Sequence, residues 1–177
     1  MLTPRQLLIK QTAAAFADSP DMSLKAALAH VTQEEADWRP DIDDGDPIPS
    51  IEEIVRHIAW AKSTFCHNGF DAPMVLTDPA VNDEGDHADL PWEFPCGAAY
   101  GRDLAPGIDG ALGLLEQAHR VLTQCLESCS DDSLGQPIPA QHGKSAAHFF
   151  TTMLMHDLYH AGTIRTRRTM CRAERGR

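Results

Sequence analysis

The sequence lacks long apolar runs, closely spaced cysteine pairs and a basic excess, and each absence excludes a class of protein. No apolar run approaches the roughly 18 residues of a membrane span. The five cysteines are an odd number without a Cys-x-x-Cys pair, and the N-terminus has no charged-then-apolar signal pattern. We therefore expect a reduced, cytoplasmic protein with no membrane partner.

Basic residues are scarce outside the C-terminal end. The 177-residue chain has a formal net charge of −11. Because six arginines and a single glutamate lie from residue 165 onward, that end carries +5 and residues 1–164 carry −16. An acidic body repels phosphate backbones, so we expect no nucleic-acid partner. The arginines are expected to lie at the C-terminus of a helix, where positive charge meets the negative end of the helix dipole. The alternative is that they have a docking role.

Helical spacing of apolar residues recurs along the chain, whereas the alternation typical of a strand does not occur. Four long helical segments are predicted, at about residues 3–17, 50–69, 106–130 and 144–170. The first opens with Thr3, Pro4 and Gln6, and the second with Ser50 and Glu53, which are helix-start signals. Two short helical stretches, at about residues 23–30 and 32–38, lie between these two long segments.

Residues 71–105 have no sustained period and form one long irregular connection. Within it, residues 90–95 carry two large aromatics between prolines, which either cover a pocket or plug an exposed face. We predict an all-α four-helix bundle with one long irregular crossover between the second and third long helices. A single domain would span residues 1–170, and residues 171–177 would form a basic C-terminal tail.

Two histidines four residues apart, His156 and His160, lie in the last helical segment. Residues i and i+4 share a helix face, with Cβ atoms about 5–6 Å apart. Both imidazoles can then bind one cation at about 2.0–2.1 Å, a normal zinc–nitrogen distance. The pair is half a metal site and requires a ligand from another helix.

His57 is the best candidate for the third ligand. It lies inside an apolar helical stretch, where a histidine must find a partner or lose solvation. His119 also qualifies if its helix turns inward. His67 and His87 are placed at a helix end and in a loop, and His148 points roughly 80° away from the ligand face.

Two cysteines on one helical face, Cys125 and Cys129, could also hold a metal as thiolates. Burial as small hydrophobic residues is the stronger interpretation of this pair.

Four residues beside the proposed ligands are candidates for the pocket or for its support. Asp157 would either accept a hydrogen bond from the outer nitrogen of a ligand histidine or pair with another helix, with a direct catalytic role as the alternative. Trp60 and Met153 each lie about one turn from a ligand and would line a cleft, or else pack in the core. Tyr159 flanks the ligand face, where we expect core or interface packing.

Three motifs carry a family resemblance: residues 38–40 (Trp-Arg-Pro), residues 48–58 (Ile-Pro-Ser-Ile-Glu-Glu-Ile-Val-Arg-His-Ile) and residues 156–164 (His-Asp-Leu-Tyr-His-Ala-Gly-Thr-Ile). They resemble the Trp-x-Pro, the second-helix opening and the His-Asp-x-Tyr-His-x-Gly-Gln-Ile signature of the DinB/YfiT-like superfamily of metal-binding four-helix bundles. Thr163 stands where the family usually has Gln. The resemblance covers nearly the whole chain.

The resemblance implies that His57, His156 and His160 bind a divalent ion, often zinc or nickel, facing a cleft between helices. Members include thiol-dependent S-transferases, an isomerase that uses a small thiol, and metal-dependent hydrolases. The resemblance also implies that the protein forms a homodimer.

Three neutral imidazoles leave a cation at least one open coordination position, as in catalytic sites. That position can activate a water or a thiol. We predict a metal-dependent S-transferase or hydrolase acting on a small-molecule substrate, with a low-molecular-weight thiol as co-substrate, and we assign no catalytic residue. The alternatives are a non-catalytic metal- or ligand-binding stress-response bundle, and a core in which the histidines only hydrogen-bond.

Overall fold

The computed structural model describes residues 1–40, 48–76, 105–139 and 143–176. Within these ranges the chain is helical and forms no β-strand, which confirms the all-α prediction. The helices are, in order, α1 (Pro4–Ala13), α2 (Leu24–Leu28), α3 (Gln33–Asp37), α4 (Ile51–Phe70), α5 (Gly107–Ser128), α6 (Asp131–Leu134) and α7 (Ala146–Arg175). A π-helical turn, Ala14–Asp18, continues α1. None of the described helices is both long and apolar enough to cross a membrane.

The predicted helix starts at Thr3 and Ser50 are confirmed as capping boxes. The Ser50 hydroxyl accepts a hydrogen bond from the backbone N–H of Glu53 at 3.3 Å, and the Glu53 carboxylate accepts one from the Ser50 N–H at 2.8 Å. Thr3 and Gln6 make the same reciprocal contacts at the start of α1. These bonds satisfy N–H groups that a helix start otherwise leaves without partners.

Helix α4 does not end at Asn68-Gly69, as predicted, but continues through Phe70. The Phe70 ring packs 5.5 Å from the Phe149 ring and 5.2 Å from the Phe150 ring, between centroids. This ring packing favours one more helical residue, and Asp71 then takes the left-handed conformation at φ 52°.

Helix α7 runs through Arg175 rather than ending near Met170. Its arginines hold α2 and α3 against it. Arg168 donates hydrogen bonds to the Ala27 and Ala29 carbonyls at 2.8 and 2.9 Å, and to Glu35 at 3.1 Å. Arg172 and Arg175 lie in the last turn of α7, at the negative end of the helix dipole, as predicted.

Two apolar clusters form the core. The first includes Ile54, Ile58, Leu115, Ala161 and Ile164, and the second includes Cys66, Leu122, Cys125, Cys129, Phe149 and Met153. Cys125 and Cys129 are thus buried among apolar side chains, as expected of small hydrophobic residues. Both clusters are shared by α4, α5 and α7, the three long helices that position the site described next.

Candidate metal centre

The three predicted ligands, His57, His156 and His160, converge in the structure. The Nε2 atom of His156 lies 3.1 Å from Nε2 of His57 and 3.1 Å from Nε2 of His160. One nitrogen from each ring lies within 4.8 Å of the other two. Two nitrogens bound tetrahedrally to one zinc ion would lie about 3.3 Å apart. The donor set and its spacing therefore fit a divalent ion.

Two helices carry this triad. Capping at Ser50 starts α4 so that His57 lies in its second turn, and α7 presents His156 and His160 one turn apart. His160 is only 2% exposed, whereas His57 and His156 are half-buried. The group therefore has a buried side and a side that faces outward.

Hydrogen bonding alone accounts poorly for the position of His156. A neutral imidazole nitrogen either donates one hydrogen bond or accepts through one lone pair. His156 Nε2 faces two other ring nitrogens, so that single lone pair or proton would have to serve both. Three lone pairs directed at a common centre are instead the arrangement that a cation requires.

Burial keeps two of the ligands neutral. Removal from water, together with electrostatic repulsion from His57 and Lys62, lowers the pKa of His156 to about 3. Burial also lowers the pKa of His160 to about 2, with His156 and His57 adding to the effect. Because a metal binds the unprotonated imidazole, both residues are available as ligands at neutral pH.

Asp157 pairs with another helix and not with a ligand histidine. Its Oδ2 atom lies 2.6 Å from Nζ of Lys62 on α4, and both side chains are fully buried. Among the described residues, neither Asp157 Oδ1 nor the buried His156 Nδ1 has a hydrogen-bond partner. Of the two supporting roles considered for Asp157, pairing with another helix is therefore the one that the structure shows.

Three other candidate pocket residues lie in different environments. The Trp60 ring is half-buried, with its centroid 6.3 Å from that of His57. Tyr159 is 70% exposed, which excludes core packing within one chain, and its ring meets the His160 ring edge-to-face at 5.0 Å. Met153 is 3% exposed and belongs to the second apolar cluster, so its position is that of a core residue.

The remaining histidines with defined positions do not join the triad. His119 turns inward, but its Nδ1 atom lies 3.2 Å from Lys62 Nζ and its ring stacks on Phe16 at 3.5 Å. His67 contacts the Ala72 carbonyl at 2.9 Å, and His148 is exposed. His87 and residues 90–95 lie outside the described residues.

Lys62 is the residue that sequence reasoning missed. It is 0% exposed although lysine is almost never fully buried without a partner. The available signal was its position five residues after His57, as the one lysine in the apolar helical segment that follows Ser50.

The buried histidines make the metal-free protein sensitive to acid. The pKa of His119 is also lowered to about 3, first by burial and then by Lys62 and Lys25. Between about pH 3 and 6.5 the unfolded chain binds protons that the folded protein does not, so stability falls as the pH is lowered. Each such histidine contributes at most about 1.4 kcal/mol per pH unit. Urea unfolding at pH 7.5, 6.0 and 5.0 measures this slope.

The variant His119→Gln keeps an acceptor for Lys62 and removes one titrating ring. We expect its stability to fall less steeply with acidification than that of the wild type. His148→Gln, at an exposed position on α7, should leave the slope unchanged. Equal slopes in His119→Gln and the wild type would contradict the effect.

The described helices, α4, α5 and α7 among them, define an all-α protein. Histidines from α4 and α7 converge to form a candidate three-histidine metal centre. A family model of the DinB superfamily matches residues 15–164, a range that contains all three histidines. The chain therefore belongs to the DinB superfamily. Comparisons with curated proteins and with solved structures found no significant match.

Proposed function

We propose that the protein binds one divalent metal ion, zinc or nickel, through His57, His156 and His160, and that it is a metal-dependent S-transferase or hydrolase. The observation that carries this proposal is the convergence of three Nε2-type donors from two helices, with two nitrogen separations of 3.1 Å. Membership of the DinB superfamily supports it. The reaction would join a low-molecular-weight thiol to a small electrophile, or hydrolyse a small substrate.

The residues of this chain would act by holding and orienting. A divalent ion bound by three neutral imidazoles supplies a Lewis-acid centre that lowers the pKa of a thiol or a water. His160 closes the buried side of the triad, because it is only 2% exposed. His57 and His156 are half-buried and leave an outward side for a substrate. Tyr159 is exposed and packs against the His160 ring, so it offers an aromatic surface next to the triad.

Metal titration followed by activity measurement tests the proposal. The metal-free protein is titrated with zinc and with nickel by calorimetry, and we expect one ion per chain. The loaded protein is then assayed for conjugation of a small thiol to an aromatic halide and for ester hydrolysis. We expect turnover that a chelator abolishes.

The possible results separate the parts of the proposal. Absence of metal uptake would overturn the metal site itself. Uptake without turnover in either assay would overturn the catalytic proposal and favour a non-catalytic metal-binding bundle.

We also propose a reduced, cytoplasmic location. It is supported by four buried free thiols, those of Cys66, Cys125, Cys129 and Cys171.

We further propose a homodimer. It is supported by three apolar side chains exposed on one face of α7: Met155 (63%), Leu158 (36%) and Tyr159 (70%). Sedimentation of the purified protein measures the oligomeric state.

A further inference from the structure

A buried polar layer separates the two apolar clusters of the core. Along each long helix, one flanking residue belongs to the first cluster and another to the second: Ile58 and Cys66 on α4, Leu115 and Leu122 on α5, Ala161 and Met153 on α7. Lys62, His119 and Asp157 lie between these flanking residues. The layer therefore connects all three long helices at one level of the core.

Lys62 is the centre of this layer. Its ammonium group contacts Asp157 on α7 at 2.6 Å and the Nδ1 atom of His119 on α5 at 3.2 Å. It also lies 5.1 Å from the centroid of the Phe16 ring, which stacks on His119. The nitrogen of Lys62 is thus surrounded by a carboxylate, an imidazole and an aromatic face.

The ion pair joins the two helices that carry the metal ligands, close to the ligands themselves. Lys62 lies five residues after His57, and Asp157 lies directly after His156 and three residues before His160. A rotation of α7 by one residue would turn Asp157 by about 100° and break the pair. The same rotation would carry His156 and His160 away from His57.

We infer that the Lys62–Asp157 ion pair positions the ligands of the metal centre. It fixes the rotation of α7 about its own axis and its shift along α4, so that the three histidines converge. This inference rests on the proposed metal site. Neither residue touches the triad as a ligand, so both act through the helices that they join. A site of this kind requires its ligands to be held within about 0.5 Å of their binding geometry.

Replacing both Lys62 and Asp157 distinguishes a role in positioning the metal ligands from a role in stability. A buried ion pair replaced by apolar side chains of similar size often leaves a protein equally stable or more stable. The double variant Lys62→Met/Asp157→Leu should therefore fold. We expect it to bind cobalt(II) about 10–100-fold more weakly than the wild type, the range typical of residues that support metal ligands. The visible absorption spectrum of the bound cobalt should also change, which a purely structural role would not cause.

A second ion pair on α7 supplies the matched control. Arg168 and Glu35, 3.1 Å apart, join α7 to α3, which carries no ligand. In the folded Arg168→Met/Glu35→Gln variant, we expect cobalt affinity within about threefold of the wild type, since this pair does not link the ligand helices. If Lys62→Met/Asp157→Leu does not fold, Lys62→Met/Asp157→Asn replaces it, because Asn keeps the size of Asp.

The outcomes distinguish this inference from the metal site on which it rests. A wild-type protein that takes up no cobalt overturns the metal site and the inference together. Wild-type uptake, with the same affinity and spectrum in a folded double variant, overturns the inference alone. An equal loss of affinity in the Arg168/Glu35 control would also overturn it, because the effect would then belong to any ion pair on α7.

Discussion

The His160→Ala variant is expected to bind zinc or nickel more than about 100-fold more weakly than the wild type. The substitution removes one of three ligands, and residues that merely support a metal ligand already contribute about 10–100-fold in affinity. The remaining pair, His57 and His156, retains its 3.1 Å nitrogen separation but holds an ion from one side only. Competition with a chelator of known affinity, on protein shown to be folded by circular dichroism, measures the loss.

Two further variants make this result specific. His160→Gln keeps more of the side-chain volume at this 2% exposed position and removes the ring, so it should lose affinity in the same way without a large cavity. His148→Ala, an exposed histidine on the same helix, should bind metal as the wild type does. Unchanged stoichiometry and affinity in His160→Ala would contradict the triad.

The local parts of the fold could be predicted from the sequence. The capping boxes at Thr3 and Ser50 involve residues three positions apart, so their signals are complete within one helical turn. The end of α7 was misplaced because its last turns are held by contacts with distant residues. Arg172, for example, binds Glu35 at 2.7 Å.

The same distinction applies to the candidate site. The helical spacing of His156 and His160 was sufficient to place them on one face, as the structure confirms. The apolar helix around His57 and its place in a family-like motif predict it as the third ligand, and its ring does meet those of His156 and His160. Neither helical spacing nor a family motif predicts the role of Lys62, since a lysine on a helix is usually solvated and its partner lies 95 residues away.

The single variant Lys62→Met is expected to lower the free energy of unfolding by about 3–5 kcal/mol at neutral pH. It removes the cation that faces Asp157, a fully buried carboxylate whose Oδ1 atom has no hydrogen-bond partner among the described residues. Urea unfolding of the metal-free variant and wild type measures the difference. Lys25→Met, which breaks an exposed ion pair with Glu116, should cost less than about 1 kcal/mol and serves as the control.

The pH dependence of this loss identifies its cause. Burial raises the pKa of Asp157, and Lys62 opposes that rise. Without Lys62 the pKa should rise further, so that the folded variant binds a proton more tightly than the unfolded chain does. Its stability deficit relative to the wild type should then shrink as the pH falls from 7 to 5, because protonation removes the unpaired charge. Loss of Lys62 also relaxes the lowered pKa values of His119 and His156, which acts in the same direction. A deficit that is constant over this range would show that lost packing, and not the buried carboxylate, destabilises the variant.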